Sequence, residues 1–345
     1  LTNVSTGTPH KRACFSTPDY IPNSMISGKT QLAGLIGWPV SHSFSPAMHN
    51  AALAQLGLDW VYVPLPVRPE EVGTAVPALP TLGFRGVNVT VPHKQAVMPF
   101  LDEIEAGARA IGAVNTIVVV RGGGAGEQGS GGAGESHVSR ITHHASRQLP
   151  NYPITQLPNY QLHGHNSDWI GFLADLQENG VAVAERDCLV LGAGGSARAV
   201  VYALVQQGAR VRLLARRIEQ AEAVVTAIGS EQVMAWPLSE LSAIPAGTTA
   251  PLIINSTPLG MTPDINNSIW PDDFPFPPHA IVYDLVYNPI ETKLMRQAQA
   301  AGCRVMNGLG MLIHQGAEAF RLWTGQQPDL TVMREAVWRT IHGKA

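Results

Sequence analysis

Apolar positions along this chain come in short blocks punctuated by Gly, Pro and Asn, and their period changes from block to block. Residues 31–36, 60–65, 86–91 and 113–120 show the short apolar runs or alternation expected of strands. Ser45-Pro46 opens a helical pattern that stops at Gly57, with Ser suited to the cap and Pro to the first helical position. Residues 70–79 predict a helix interrupted by prolines. Val91-Pro92 predicts a second Pro-started helix, which places Lys94 in its first turn. From 187 onward strand and helix alternate. Strands fall at 188–191, 210–215, 252–255 and 281–285, and helices at 196–207, 218–227 and 291–301. Such alternation predicts a mostly parallel sheet covered on both faces. Two amphipathic helices follow, at 309–323 and 332–342.

Two segments break the pattern. Residues 1–24 have no periodicity and read as a disordered or non-native extension, with Met25 as the start. Residues 121–160 turn rich in Gly and then repeat Gln-Leu-Pro-Asn-Tyr at 148–152 and 156–160. A Pro- and Asn-rich repeat cannot bury a face, so this stretch reads as a disordered or loosely ordered insertion. His137, His143 and His144 lie within it and read as solvated loop histidines rather than metal ligands.

Composition narrows the function classes. A chain of 345 residues suggests two domains, and 45% apolar residues suffice for sizeable cores. Lys plus Arg is 23 against 26 Asp plus Glu, a formal charge of −3, so there is no electrostatic footprint for nucleic acid or an anionic membrane. No apolar run approaches a membrane span. Cys14, Cys188 and Cys303 are far apart with no Cys-x-x-Cys pair. A disulfide framework and a cysteine zinc site are poorly supported, and a reducing cytoplasm is expected.

The chemistry-bearing residues form two sets. Gly192-Ala193-Gly194-Gly195-Ser196-Ala197 follows an apolar strand and opens a helix, which is the dinucleotide-binding arrangement. Gly192 makes the tight turn, Gly194 admits a diphosphate, and the helix N-terminus offers free N–H groups. The next strand ends at Arg216-Arg217, where an NAD site wants an acid. Two arginines suit a 2′-phosphate and therefore NADP, against the alternatives of a solvated basic loop or a path that brings in Glu219. The second set is polar side chains in apolar surroundings: Ser43, Ser45, Asn88, Thr90, Lys94, Asn115, Thr116, Asn166 and Asp168. Asn88 and Thr90 share one strand face, while the intervening valines face a core. A cation in a first helical turn is an odd structural choice, which singles out Lys94. Together these groups describe a pocket for a small polyhydroxylated acid.

Over nearly all of 25–342 the chain resembles the shikimate dehydrogenase family. The blocks that carry the resemblance are Gly37-Trp-Pro-Val-Ser-His-Ser-Phe-Ser-Pro-Ala-Met-His-Asn50, Asn88-Val-Thr-Val-Pro-His-Lys94, Gly112-Ala-Val-Asn-Thr116 and Gly164-His-Asn-Ser-Asp168. The glycine loop, Asn255-Ser-Thr-Pro-Leu-Gly-Met261, Asp284-Leu-Val-Tyr287 and Asn307-Gly-Leu-Gly-Met-Leu312 complete them in order. The resemblance implies a two-domain α/β fold. A substrate domain would span 25–167, carry the 121–160 insertion and recover 308–345, and a Rossmann-type NADP domain would span 168–307. It implies reversible reduction of 3-dehydroshikimate to shikimate by NADPH, a step of aromatic amino-acid biosynthesis, by a monomer or homodimer without a metal. Lys94 and Asp168 would be the acid–base pair. Ser43, Ser45, Asn88, Thr90, Asn115, Tyr287 and Gln315 would complete the substrate contacts. Gly192, Ala193, Gly194, Gly195, Ser196, Arg216, Arg217, Thr257, Leu285, Gly308 and Met311 would hold the cofactor. The family's usual Asn-Arg-Thr at the 2′-phosphate reads Ala215-Arg216-Arg217 here. The alternatives are a quinate/shikimate dehydrogenase preferring NAD and a non-catalytic regulatory homologue that binds shikimate.

Overall fold

The computed structural model describes residues 26–121, 160–243 and 250–343. The expected extension at 1–24, Cys14, and the insertion between its first and last residues with its three histidines lie outside the described residues.

Two six-stranded sheets organise the fold. The first contains β1 (Gln31–Gly37), β2 (Trp60–Pro66), β3 (Phe84–Val89), β4 (Glu103–Ile104), β5 (Thr116–Arg121) and β6 (Tyr160–His165), in the order β2-β1-β3-β5-β6-β4. It is mixed: β1 pairs in parallel with β2 and β3, whereas β5 runs antiparallel to both β3 and β6. The second sheet contains β7 (Asp187–Leu191), β8 (Arg210–Ala215), β9 (Val233–Pro237), β10 (Leu252–Asn255), β11 (Ile281–Asp284) and β12 (Arg304–Asn307). Its order is β12-β11-β10-β7-β8-β9, and every pair is parallel. The helices are α1 (Ser45–Gln55), α2 (Val72–Ala78), α3 (Ala106–Ile111), α4 (Asp168–Glu178), α5 (Gly195–Gln206), α6 (Ile218–Ile228), α7 (Lys293–Ala300), α8 (Leu309–Thr324) and α9 (Leu330–His342).

Strand alternation in β7 shows why the second sheet needs helices on both sides. Cys188 and Val190 pack with Val200 of α5 and Val224 of α6, while Leu189 and Leu191 pack with Leu294 and Ala298 of α7. A parallel sheet buried on both faces is the arrangement anticipated for this half. Beyond β12 the chain returns to the first sheet. Leu312, Ile313 and Phe320 of α8 join Met48 of α1 and Met333 of α9 in its core, while Met311 packs in the core of the second sheet. Among the described residues no helix is long and apolar enough to cross a membrane.

Three expectations change. No helix forms after Pro92; the segment is a series of turns ending in a 3-10 turn at Met98–Phe100. Its backbone is committed elsewhere, since the Lys94 carbonyl accepts the Val114 N–H at 2.7 Å, and buried His93 sets its ring 2.7 Å from the Val67 carbonyl. Val91, expected in the core, is 67% exposed because β3 has already ended at Val89. Finally, Arg121 and Tyr160 are not insertion residues: they are the last paired residues of the β5–β6 ladder.

That pairing brings the two chain ends around 122–159 together. Replacing 122–159 with Asn-Gly, which suits a two-residue hairpin turn, should therefore preserve turnover and the thermal unfolding midpoint. Failure of the shortened chain to fold would show that the excised residues hold the sheet together.

Candidate active site

A cleft opens between the two sheets, and every substrate position expected from the sequence lines it: Ser43, Ser45, Asn88, Thr90, Lys94, Asn115, Asp168, Tyr287 and Gln315. The local reasons differ. Helix α1 begins at Ser45 with Phe44 as its cap residue and no side-chain cap, so Ser45 is not the cap its sequence suggests. Ser45 lines the cleft with its side chain beside the Tyr62 hydroxyl, and Ser43 Oγ instead accepts the Ser45 N–H at 3.2 Å. Asn88 lies near the end of β3 and Thr90 just beyond it. Asp168 is the first residue of α4, where the helix dipole favours an anion. Gln315 projects from α8 and Tyr287 from the loop after β11.

Lys94 Nζ lies 2.6 Å from Asp168 Oδ2, with the two side chains only 13% and 7% exposed. The other carboxylate oxygen accepts from Asn115 Nδ2 at 2.9 Å, and the Asp168 N–H donates to Asn166 Oδ1 at 3.0 Å. Asn166 in turn donates to the Ala113 carbonyl at 2.8 Å. The carboxylate is thus fixed on both oxygens, and the lysine has one partner that a substrate oxygen can share. An ion pair this buried is held in place by those additional hydrogen bonds.

Behind the cleft lies a group that sequence reasoning missed. The buried Tyr62 hydroxyl donates to Asn88 Oδ1 at 2.8 Å. His49 stacks on the Tyr62 ring with centroids 4.3 Å apart. Complete burial drives the His49 imidazole down to about 3, with the neighbouring Asn88 side chain acting the other way, so the ring is neutral. The strand pattern along 60–65 does not single out Tyr62, because its neighbours on both faces are apolar. Its partner on β3 depends on strand order, because β1 lies between them.

The cofactor positions occupy an adjoining cleft and the edge of the first. Gly192, Ala193, Gly194, Arg216, Arg217 and Thr257 line the adjoining cleft, while Ser196, Leu285, Gly308 and Met311 line the first. The residues fit a dinucleotide. Gly192 has φ +109°, and a Cβ there would lie 2.8 Å from Ser256 Oγ and Thr257 Cγ2. Gly194 caps α5 without a side-chain hydrogen bond, so the first-turn N–H groups have no side-chain cap competing for them. Neither Arg216 nor Arg217 forms an ion pair among the described residues. The loop also meets the Lys94 segment, since a Cβ on Gly195 would lie 3.4 Å from Lys94 Cδ. Expected substrate and cofactor residues therefore converge on one lysine.

Comparison with known proteins agrees with this arrangement. The shikimate dehydrogenase substrate binding domain matches residues 35–117, the shikimate / quinate 5-dehydrogenase family residues 175–258, and the shikimate 5′-dehydrogenase C-terminal domain residues 308–337. The shikimate dehydrogenase (NADP(+)) of Desulforamulus reducens is 39% identical over 329 residues, which cover 92% of this chain and 97% of that protein. The chain belongs to the shikimate dehydrogenase family. Within the family, the crystal structure of the Thermus thermophilus enzyme in complex with NADP(H) and shikimate is 34% identical, with a TM-score of 0.69 over 90% of this chain and 99% of that one. Quinate dehydrogenase from Corynebacterium glutamicum in complex with NAD is 31% identical, with a TM-score of 0.71 over 90% and 99% of the two chains. Shape alone does not separate these two branches; the residues at the clefts must.

Proposed function

We propose that the chain catalyses reversible, NADPH-dependent reduction of 3-dehydroshikimate to shikimate, the step in aromatic amino-acid biosynthesis, with Lys94 and Asp168 as the acid–base pair. The observation that carries this reading is the buried Lys94–Asp168 pair, 2.6 Å apart, in a cleft bordered by the glycine loop. NADPH, when bound, supplies the hydride. As the carbonyl carbon of the substrate accepts it, negative charge develops on oxygen. Lys94 stabilises that charge and delivers the proton that completes the alcohol. Asp168 orients the ammonium and accepts from a neighbouring substrate hydroxyl, while Asn115 keeps the carboxylate in register. Ser43 and Ser45 bind the substrate carboxylate, and Asn88, Thr90, Tyr287 and Gln315 its hydroxyls. On this reading 25–167 and 308–345 form the substrate domain and 168–307 the NADP domain. The enzyme works as a monomer or homodimer in a reducing cytoplasm, a reading supported by Cys188 and Cys303 forming no disulfide among the described residues.

Arg216 and Arg217 support NADP over NAD, because only NADP carries a 2′-phosphate for two guanidinium groups to hold. The test measures initial rates with shikimate and quinate against NADP and NAD, in the parent chain and in the Arg216→Ala/Arg217→Ala variant. Shikimate with NADP should be the fastest pair. The double substitution should raise KM for NADP about tenfold or more and leave KM for NAD unchanged. Preference for quinate with NAD in the parent chain would move the protein to the quinate branch.

A further inference from the structure

We infer that Arg198 binds the diphosphate of the dinucleotide, reaching it from the side of the glycine loop that faces the Lys94 segment. The inference rests on the dinucleotide reading above and adds a residue to it. Arg198 lies one turn into α5, where its N–H donates to the Gly194 carbonyl at 3.1 Å. Its side chain lines a cavity with Gly194, Gly195 and Gln95. The guanidinium rests against the left-handed turn that ends α3, because a Cβ on Gly112 would lie 3.3 Å from Arg198 Nη1. Gln95 reaches the same turn, with Nε2 3.5 Å from the Gly112 carbonyl. Loop, lysine segment and α3 therefore meet around this one cation.

The state of the cation points to an anion. Arg198 is partly buried, and desolvation lowers its affinity for its proton. Among the described residues it makes no ion pair and no side-chain hydrogen bond. Glu219 borders the same cavity without pairing with it. Holding a guanidinium partly desolvated and unpaired is costly unless an anion arrives. The adjacent α5 N-terminus attracts an anion at the same place, and the planar fork of Arg suits two phosphate oxygens at once. A dinucleotide diphosphate laid over Gly194 and Gly195 meets both requirements. Its engagement would also tie the cofactor to the segment that presents Lys94.

The test separates the diphosphate from the 2′-phosphate. Dissociation constants are measured by quenching of protein fluorescence for NADPH, and by competition for adenosine 2′-monophosphate, which lacks a diphosphate. The chains compared are the parent, Arg198→Met, which keeps the aliphatic stem, and Arg216→Ala/Arg217→Ala. Arg198→Met should weaken NADPH about tenfold or more and change adenosine 2′-monophosphate less than about twofold. The double variant should weaken both. Arg198→Gln serves as the second variant where methionine does not fold. NADPH binding unchanged on removal of the guanidinium, or equal weakening of both probes, overturns the inference. A parent chain that binds no NADPH overturns the function reading itself, and this inference with it.

Discussion

Replacing Lys94 with alanine should lower kcat by about 10²–10⁴-fold while KM for shikimate stays within about tenfold. The lysine is the one group in the cleft with both a transferable proton and a carboxylate partner 2.6 Å away. On the proposed reading, the remaining contacts, from Ser43 and Ser45 through Gln315, bind ground state and transition state alike, so affinity should survive. The substitution also strands the Asp168 carboxylate at 7% exposure with Asn115 as its remaining side-chain partner. Breaking a buried pair in this way typically costs about 3–5 kcal/mol, so the thermal midpoint should fall as well. Asp168→Asn in the Lys94→Ala background should restore part of the stability and none of the turnover. Near-parent turnover in Lys94→Ala would remove the residue from the chemistry.

Gly308→Ala should cost about 10²-fold in kcat, because displacements near 1 Å at a reacting centre have effects of that size. Gly308 precedes α8 and sits so close to the β11 loop that a Cβ would overlap the Leu285 carbonyl oxygen. That neighbour is backbone and cannot rotate away. Either α8 shifts, carrying Met311 and Gln315 with it, or the loop bearing Leu285 and Tyr287 retreats from the cleft. Overpacking of this kind also costs about 1–3 kcal/mol of stability, which a denaturant titration would read. A variant with full turnover and parent stability would show that the close approach relaxes harmlessly.

Much of this site was legible in the sequence because its parts are local. The glycine loop needs only a strand before it and a helix after it, and both are determined by neighbouring residues. The same holds for β7, β8 and β10, whose apolar runs are buried on both faces. What was not legible depends on partners distant in sequence. The turns after Pro92 replace a helix because Val114 and Val67 claim the local backbone and His93 side chain. The short strands β4, β9 and β12 lie at sheet edges, where one neighbour is missing and exposed residues such as Met234 blur the alternation. Nothing local distinguishes Tyr62 within its strand, and only the order β2-β1-β3 brings its hydroxyl to Asn88. The antiparallel pairing of β5 with β3 and β6 likewise leaves no local trace, since a strand's side-chain period is the same in either direction.

The return of α8 to the first sheet limits how this enzyme can be recombined with its relatives. Leu312, Ile313 and Phe320 are core residues of the first sheet, yet they are encoded after the whole of the second sheet. A two-piece chimera cut near Asp168 would graft a foreign α8 and α9 onto the native α1, and their mismatched side chains would have to repack around Met48. The second sheet with its helices can be exchanged cleanly only as an internal cassette, with both flanks kept from one parent. The second junction then falls beside Gly308, where the chain has no room to spare. On the proposed reading of Arg216 and Arg217, swapping coenzyme preference by module is therefore harder in this architecture than substituting that pair.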